Sequence, residues 1–225
     1  MIKAVLFDMD GTLIDSEWIY RESWLWAMDK AGVSIDTERF FKSVSGMNMA
    51  TMQAFCEKEY GAAFPFVAVC DLRRPYLIGR VEERGIARKA GVPDVFHTLK
   101  EMGVRIALTT SAGGAWAQKC LASAGLCMDV FDYVITGECV ERSKPDPEIF
   151  LTAADALGVK PSECVVAEDS TNGVLAGHAA GMKTVMIPDL QPCTDALHPL
   201  LWACIDTLES LPAMIRKYNE SEIDT

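Results

Sequence analysis

The sequence predicts an α/β protein in which a doubly wound parallel β-sheet carries an inserted group of helices. From residue 91 onward, short β-branched runs alternate with helical segments, the pattern of parallel strands joined by crossover helices. Residues 16–88 instead contain helical patterns separated by glycines and no convincing strand. We therefore predict a core formed by residues 1–15 and 89–225, with a small α-helical cap formed by residues 16–88.

Each predicted strand is a short apolar run, the type found in a parallel sheet that is buried on both faces. The runs are residues 4–7, 105–109, 133–136, 164–167 and 184–187. Helices are predicted between them, most clearly over residues 93–102 and 147–157, each of which is followed by a glycine. The polar residues 217–225 are expected to fray.

The insertion is predicted to begin with a helix. Ser16 is the expected N-cap, because its hydroxyl can accept a hydrogen bond from a free backbone N–H group. An apolar stripe with helical spacing follows, formed by Tyr20, Trp24, Ala27, Met28 and Ala31, and Gly32 ends the helix.

Composition restricts the possible partners and compartments. Half of the 225 residues are hydrophobic, which is enough to bury a core without disulfides. The net charge of -11 opposes binding to nucleic acids and anionic membranes, and no apolar run is long enough to cross a bilayer. We expect no secretory signal, and the eight cysteines, none of which forms a Cys-x-x-Cys pair, are expected to be reduced, buried thiols. We expect a cytoplasmic protein that is a monomer or weak dimer.

Two carboxylates follow the first strand in the segment DMDGTLIDS. Asp8 and Asp10 are two residues apart, so in an extended chain both side chains face the same side. Asp-Gly is also a common turn pair, and for a short Asp-x-Asp sequence alone an ordinary turn is the preferred interpretation. The complete nonapeptide is much less expected by chance. It marks Asp8 and Asp10 as candidate catalytic residues.

A second acidic pair, Glu168 and Asp169, ends the predicted strand 164–167. The carboxyl ends of parallel strands meet at one edge of the sheet, where ligands bind, so this pair should lie close to Asp8 and Asp10. Taken alone, Asp169 and the serine after it could simply cap the next helix. The coincidence of two acidic pairs at one edge favours a shared site.

Four carboxylates at one edge would repel one another unless a cation lay between them, and oxygen ligands suit Mg²⁺. We therefore predict a magnesium site formed by Asp8, Asp10, Glu168 and Asp169. An anionic group could be bound beside it by Lys144, in the segment SKPDP, and by Thr110 and Ser111, which follow the strand 105–109. A lone surface lysine is usually only a solvated charge, but one beside a strand end is a better phosphate ligand. The expected partner is a small phosphorylated metabolite.

Other enzyme classes lack their sequence motifs here. The chain contains no G-x-S-x-G, no G-x-x-x-x-G-K and no G-x-G-x-x-G segment. Instead, the order DMDGT, Thr110, Lys144 in SKPDP and EDSTNG resembles the haloacid dehalogenase superfamily, in the branch of β-phosphoglucomutase, phosphoglycolate phosphatase and the sugar-phosphate phosphatases. The resemblance covers nearly the whole chain and implies a Rossmann-like core with a small helical cap.

The resemblance implies a role for each motif residue. Asp8 would attack phosphorus and form an aspartyl-phosphate, and Asp10 would protonate the leaving oxygen and later activate water. Thr110 and Lys144 would bind phosphoryl oxygens, while Asp8, the carbonyl of Asp10 and Asp169 would hold Mg²⁺. We therefore expect a magnesium-dependent phosphatase that hydrolyses a small phosphomonoester, such as a sugar phosphate.

Two alternatives remain. The first is a phosphomutase of the β-phosphoglucomutase type, but Tyr20 and Met49 stand where those enzymes have a histidine and an arginine, so the phosphatase is favoured. The second is a non-catalytic metabolite-binding protein, for which the loss of at least one motif residue would be more plausible. Arg73 and Arg74 could reach the substrate from the cap, although exposed helix charges are at least as expected.

Overall fold

A parallel sheet flanked by helices forms the core of the computed structural model, which describes residues 1–222. In chain order the strands are β1 (Ala4–Phe7), β2 (Ile14–Asp15), β3 (Ala87–Arg88), β4 (Arg105–Thr109), β5 (Tyr133–Ile135), β6 (Cys164–Glu168), β7 (Lys183–Met186) and β8 (Ala203–Cys204). The helices are α1 (Glu17–Lys30), α2 (Thr37–Val44), α3 (Met49–Tyr60), α4 (Phe66–Arg84), α5 (Val92–Glu101), α6 (Gly114–Ser123), α7 (Glu148–Leu157), α8 (Thr171–Ala179) and α9 (Leu211–Ser221). The predicted α/β class is confirmed.

The strand order places the chain's change of direction at β1. The six-stranded sheet has the order β5-β4-β1-β6-β7-β8, so the chain runs outward through β4 and β5 before it returns beside β1 as β6. In such sheets ligands bind in the crevice where the strand order reverses. Phe7 pairs with Leu108 of β4 and with Ala167 of β6, so the residues that follow these three emerge at the same level.

Alternation along β1 explains why the sheet is covered on both faces. Val5 and Phe7 pack into one apolar cluster with residues of α5, α6 and α9, whereas Ala4 and Leu6 pack into another with residues of α7 and α8. All four side chains are fully buried. A strand buried on both faces needs apolar residues at successive positions, which is the pattern that identified β1 in the sequence.

The helices α1–α4 form a segment between β2 and β3 with an apolar cluster of its own. Trp24 lies at its centre, with ring centroids 5.4 Å from Phe40 and 5.9 Å from Phe66. We call α1–α4 the four-helix segment. Its two ends are joined by an antiparallel pairing of Ile14–Asp15 with Ala87–Arg88.

That pairing corrects the prediction that residues 16–88 contain no strand, since β3 lies at their end. β2 and β8 were also not predicted, and the boundaries of the other five strands shift by one residue at most. Two-residue strands are too short to show an alternating pattern in sequence. The predicted fraying was wrong for residues 217–221, which continue α9, and residues 223–225 lie outside the described part of the chain.

The eight cysteines are all free, but they are not all buried as predicted. Cys127, Cys139 and Cys204 are exposed, so composition alone did not reveal their positions. Among residues 1–222, no helix combines the length and the apolar character that spanning a membrane would require.

Candidate active site

The predicted site residues meet where β1, β4 and β6 end. Asp8 follows β1 directly, and its backbone N–H donates to the carbonyl of Ala167 at 3.0 Å. Thr109, the last residue of β4, is held by a hydrogen bond from its Oγ1 to the Phe7 carbonyl at 3.0 Å. Glu168 ends β6 and is fully buried. Sheet register alone therefore brings groups that are far apart in sequence to one edge.

Lys144 is the buried cation of this site. Its Nζ donates to Asp8 Oδ1 at 2.6 Å, to Glu168 Oε1 at 2.6 Å and to the Thr109 carbonyl at 3.0 Å. An ammonium group has three N–H donors, so these partners satisfy it completely. Burial lowers the pKa of Lys144, but the two carboxylates outweigh burial and raise it. Lys144 is thus a permanent positive charge against Asp8, not the surface lysine that its sequence context also allowed.

Glu168 is occupied in fixing the geometry around it. Its Oε1 binds Lys144, and its Oε2 accepts hydrogen bonds from the backbone N–H groups of Asp169 and Ser170, both at 3.0 Å. The Ser170 hydroxyl also donates to Oε2, at 2.9 Å. The same hydroxyl accepts from the Gly173 N–H at 3.0 Å and caps α8. Ser170 is therefore a cap, as one sequence interpretation held, and it also anchors Glu168.

Three buried carboxylates form a group that suits a hard cation. Oxygen atoms of Asp8, Glu168 and Asp169 lie within 4.8 Å of one another. Burial raises the pKa of both Asp8 and Asp169, and the Glu168 charge raises both further. Lys144 is the ammonium partner of this group, so an excess of negative charge remains that a divalent cation would offset. The residues present therefore fit Mg²⁺.

Gly11 shapes the wall of this group. Its φ is +77°, and a Cβ placed there would lie 2.2 Å from Asp169 Oδ2. Only glycine combines this backbone conformation with so close an approach. Glycine at this position is therefore required both by the Asp-Gly turn of the first motif and by the close approach of the Asp169 side chain.

Asp10 stands slightly apart from the other carboxylates. Its Oδ1 accepts a short hydrogen bond from the Ser16 hydroxyl, and its carboxylate does not belong to the three-carboxylate group. Burial raises the pKa of Asp10 to about 6, against the opposing effects of the Ser16 hydrogen bond and the charges of Lys144 and Arg73. The prediction that Ser16 caps α1 with its side chain was wrong, because its hydroxyl is directed to Asp10.

Thr110 and Ser111 differ in what they can offer a ligand. The Thr110 hydroxyl oxygen accepts from the Ala112 N–H at 3.1 Å, which leaves its proton available for donation. The Ser111 hydroxyl instead donates to the carbonyl of Gly46, in the four-helix segment, at 2.6 Å. Ser111 therefore links the sheet edge to that segment.

The connection between α2 and α3, residues 45–48, lies across this edge. Asn172 Nδ2 donates to the Ser45 carbonyl at 2.7 Å, and the Asn48 N–H donates to the Ser143 hydroxyl at 2.7 Å. These contacts were not predicted, although Asn172 and Ser143 both stand in the sequence motifs. Their place in the motifs was the only sequence signal for these contacts, because nothing in the sequence identifies residues 45–48 as the partner.

Two further residues near Asp10 emerge only from the fold. Burial raises the pKa of Glu17 to about 8, and the charges of Asp10 and Asp189 raise it further. Arg73, which could have been an exposed helix charge, is buried with 8% of its surface exposed, whereas Arg74 is exposed. Their sequence spacing does not reveal this, since it depends on how α1 packs against α4.

Comparison with known proteins finds phosphatases and a mutase that are similar to this chain. Two relatives are phosphatases: the validoxylamine A 7'-phosphate phosphatase of Streptomyces hygroscopicus subsp. limoneus is 32% identical over 81% of this chain and 84% of its own. The fructose-1-phosphate phosphatase YqaB of Escherichia coli (strain K12) is 30% identical over 81% of this chain and 94% of its own. The crystal structure of β-phosphoglucomutase from Clostridium difficile superimposes with a TM-score of 0.81 and 25% identity, covering 99% of this chain and 100% of that one.

These relatives confirm the expected enzyme class, a phosphoric monoester hydrolase. The family model for haloacid dehalogenase-like hydrolases matches residues 2–181, which hold Asp8, Asp10, Lys144 and Asp169. The chain belongs to the haloacid dehalogenase-like hydrolase family.

Proposed function

We propose that this protein is a magnesium-dependent phosphatase that hydrolyses a small phosphomonoester, such as a sugar phosphate, through an aspartyl-phosphate on Asp8. One observation carries the proposal: the buried Asp8 carboxylate is ion-paired with Lys144 and grouped with Asp169 at the strand edge. A carboxylate that attacks a phosphoryl dianion needs fixed positive charge beside it, and Lys144 supplies that charge. The phosphatase relatives support the substrate class.

The steps follow from the positions of the side chains. A carboxylate oxygen of Asp8 attacks phosphorus as the bond from phosphorus to the leaving oxygen breaks, and Asp10 gives its proton to that oxygen. Water then attacks the phosphorus of the aspartyl-phosphate, Asp10 takes a proton from this water, and phosphate leaves with Asp8 restored. A group whose pKa lies near 6 can act in both directions at neutral pH.

The remaining residues hold the phosphoryl group. The free proton of Thr110 donates to a phosphoryl oxygen, and Glu168 keeps Lys144 in place. The carboxylates of Asp8 and Asp169 and the carbonyl of Asp10 would hold Mg²⁺, and Glu168 would support Lys144 instead of binding the metal. When bound, Mg²⁺ would offset the charge that develops on the phosphoryl oxygens. The four-helix segment acts as the cap that excludes water.

The test is phosphate release from a panel of small phosphomonoesters with and without magnesium. We expect magnesium-dependent release that is lost in Asp8→Asn and kept in Asp155→Asn, a matched change at an exposed aspartate of α7. Full turnover by Asp8→Asn would exclude the mechanism. Interconversion of a bisphosphate and a sugar phosphate without free phosphate would identify a mutase. Tight binding of an ester without turnover would favour the alternative of a non-catalytic metabolite-binding protein.

A further inference from the structure

Cys193 and Cys204 are two thiols that meet beside the edge strand of the main sheet. Cys193 lies between β7 and β8 and packs against an apolar cluster formed by Val174, Met186 and Leu197. Cys204, in β8, is the register partner of Met186 in β7. Side chains at paired positions of neighbouring parallel strands point to the same face of the sheet. Cys204 therefore lies on the face where Cys193 packs on Met186.

The two thiols are in direct contact. The Cys204 thiol donates a hydrogen bond to the sulfur of Cys193. The backbone beside Cys204 is fixed, because the Ile205 N–H donates to the Met186 carbonyl at 2.9 Å. Thiols in hydrogen-bond contact are close to the separation that a disulfide needs, so forming the bond requires side-chain rotation and little backbone movement.

The surroundings of the pair favour a dithiol over a metal site. Among residues 1–222, no third cysteine, histidine or carboxylate joins these two sulfurs as a group of possible metal ligands. A structural zinc site needs four ligands. Cys204 is exposed and Cys193 is half-buried, so a small reagent can reach the pair from solvent.

We propose that Cys193 and Cys204 are a modification site at which a small disulfide, such as oxidised glutathione, closes a reversible protein disulfide. The Cys204 sulfur attacks one sulfur of the small disulfide, the S–S bond of that molecule breaks, and one glutathione leaves. The Cys193 sulfur then attacks the Cys204 sulfur of the mixed disulfide, and the second glutathione leaves. The pair gives up two electrons, and its two protons end on the two glutathione thiols.

The reaction should be slow at neutral pH. Burial, together with the hydrogen bond to Cys193, raises the pKa of Cys204 to about 11. The thiolate is the form that attacks a disulfide, and little of it is present far below the pKa. Incubation over hours with oxidised glutathione in excess is therefore the appropriate condition.

The bond would restrain a segment that also contacts the active-site edge. The chain between β7 and β8 contains Gln191, whose Oε1 accepts from Thr171 Oγ1 at 2.8 Å, at the start of α8. It also contains Asp189, whose Oδ1 lies 2.7 Å from Lys89 Nζ. Closing the short loop between the two cysteines restricts the unfolded chain, so the disulfide should raise the midpoint of thermal unfolding by about 4–10 °C.

A single peptide reports the bond. Cleavage after lysine and arginine releases residues 184–216 as one peptide, in which Cys193 and Cys204 are the cysteines. The full chain is incubated with oxidised glutathione, quenched with acid, alkylated and digested. We expect this peptide to carry no alkyl group and to weigh two hydrogen atoms less than the dithiol form. Dithiothreitol should restore both thiols.

Serine variants assign the bond to this pair. Cys193→Ser and Cys204→Ser should each lose the bridge and the rise in the unfolding midpoint. Cys127→Ser is the matched change at an exposed cysteine whose thiol bonds to the carboxylate of Asp129, and it should keep both.

Two results would overturn the proposal. In the first, the peptide 184–216 of the unmodified protein still carries two alkyl groups after incubation with oxidised glutathione. In the second, the reaction stops with glutathione attached to Cys193 or Cys204 and no bridge forms. Neither result bears on the proposed function, because these thiols take no part in phosphate release.

Discussion

Replacing Gly46 by alanine tests whether the four-helix segment must seat on the sheet edge for turnover. Gly46 has a φ of +79°, and a Cβ placed there would lie 2.8 Å from Ser170 Oγ. That hydroxyl cannot retreat easily, because it donates to Glu168 at 2.9 Å and accepts from Gly173 at 3.0 Å. We expect Gly46→Ala to push residues 45–48 away from the edge.

The magnitude follows from the contacts that would be lost. Four hydrogen bonds hold residues 45–48 to the core. Ser111 and Asn172 each donate one to this connection, and Asn48 donates one to Ser143 and one to the Gly137 carbonyl. At roughly 0.5–1 kcal/mol each, their loss costs about 2–4 kcal/mol. If turnover requires the closed arrangement, kcat/KM should fall by about 30- to 1000-fold.

Gly32→Ala is the matched control, because Gly32 also has a positive φ, +67°, but no described atom lies within 4 Å of its added Cβ. Both variants lose about 1–2 kcal/mol of unfolding free energy to backbone strain. Only Gly46→Ala should lose turnover, measured as kcat/KM for the best ester of the panel. If the two variants have kcat/KM values within about threefold of each other, seating of this connection is not needed.

Two further predictions concern the charges of the site. Lys144→Met should lower the unfolding free energy of the metal-free protein, measured by urea denaturation, by about 3–5 kcal/mol, because it leaves two buried carboxylates without their cation. The control Lys58→Met, at an exposed lysine, should change the unfolding free energy little. A similar loss in both variants would refute this reason. Mg²⁺ at about 100 times its Kd should raise the unfolding free energy by about 2.7 kcal/mol, and removal by a chelator should reverse this. Asp169→Asn should lose the response and Asp155→Asn should keep it, whereas a response kept by Asp169→Asn would place the metal elsewhere.

The core of the fold was predictable because its strands are buried on both faces. β1 is apolar throughout, and β4 and β6 each contain a buried apolar run; such runs identify parallel strands without an alternating pattern. β2, β3 and β8 have two residues each and depend on their partners, not on their own sequence. The three exposed cysteines were missed for a similar reason: whether a cysteine is buried depends on its position in the folded structure, which composition does not give.

At the site, sequence predicted which residues meet but not how they share partners. Convergence of Asp8, Glu168 and Asp169 follows from parallel strands ending at one edge. The hydrogen-bond partners of each side chain do not follow from the sequence, because they depend on side-chain geometry. Glu168 accepts hydrogen bonds from Lys144 and from backbone N–H groups, and Ser111 donates to the four-helix segment.

Each of the three later motifs of the proposed site also holds the four-helix segment. Ser111 is adjacent to Thr110, and Ser143 is adjacent to Lys144. In the third motif, Asn172 lies three residues after Asp169. Displacing residues 45–48 would therefore release, at once, the neighbours of Thr110 and Lys144 and a residue close to Asp169. Because residues close in sequence share a backbone, the seating of this connection and the placement of Thr110, Lys144 and Asp169 should be mechanically coupled. This coupling is the reason to expect a single methyl group at position 46, outside the reacting groups, to act on turnover.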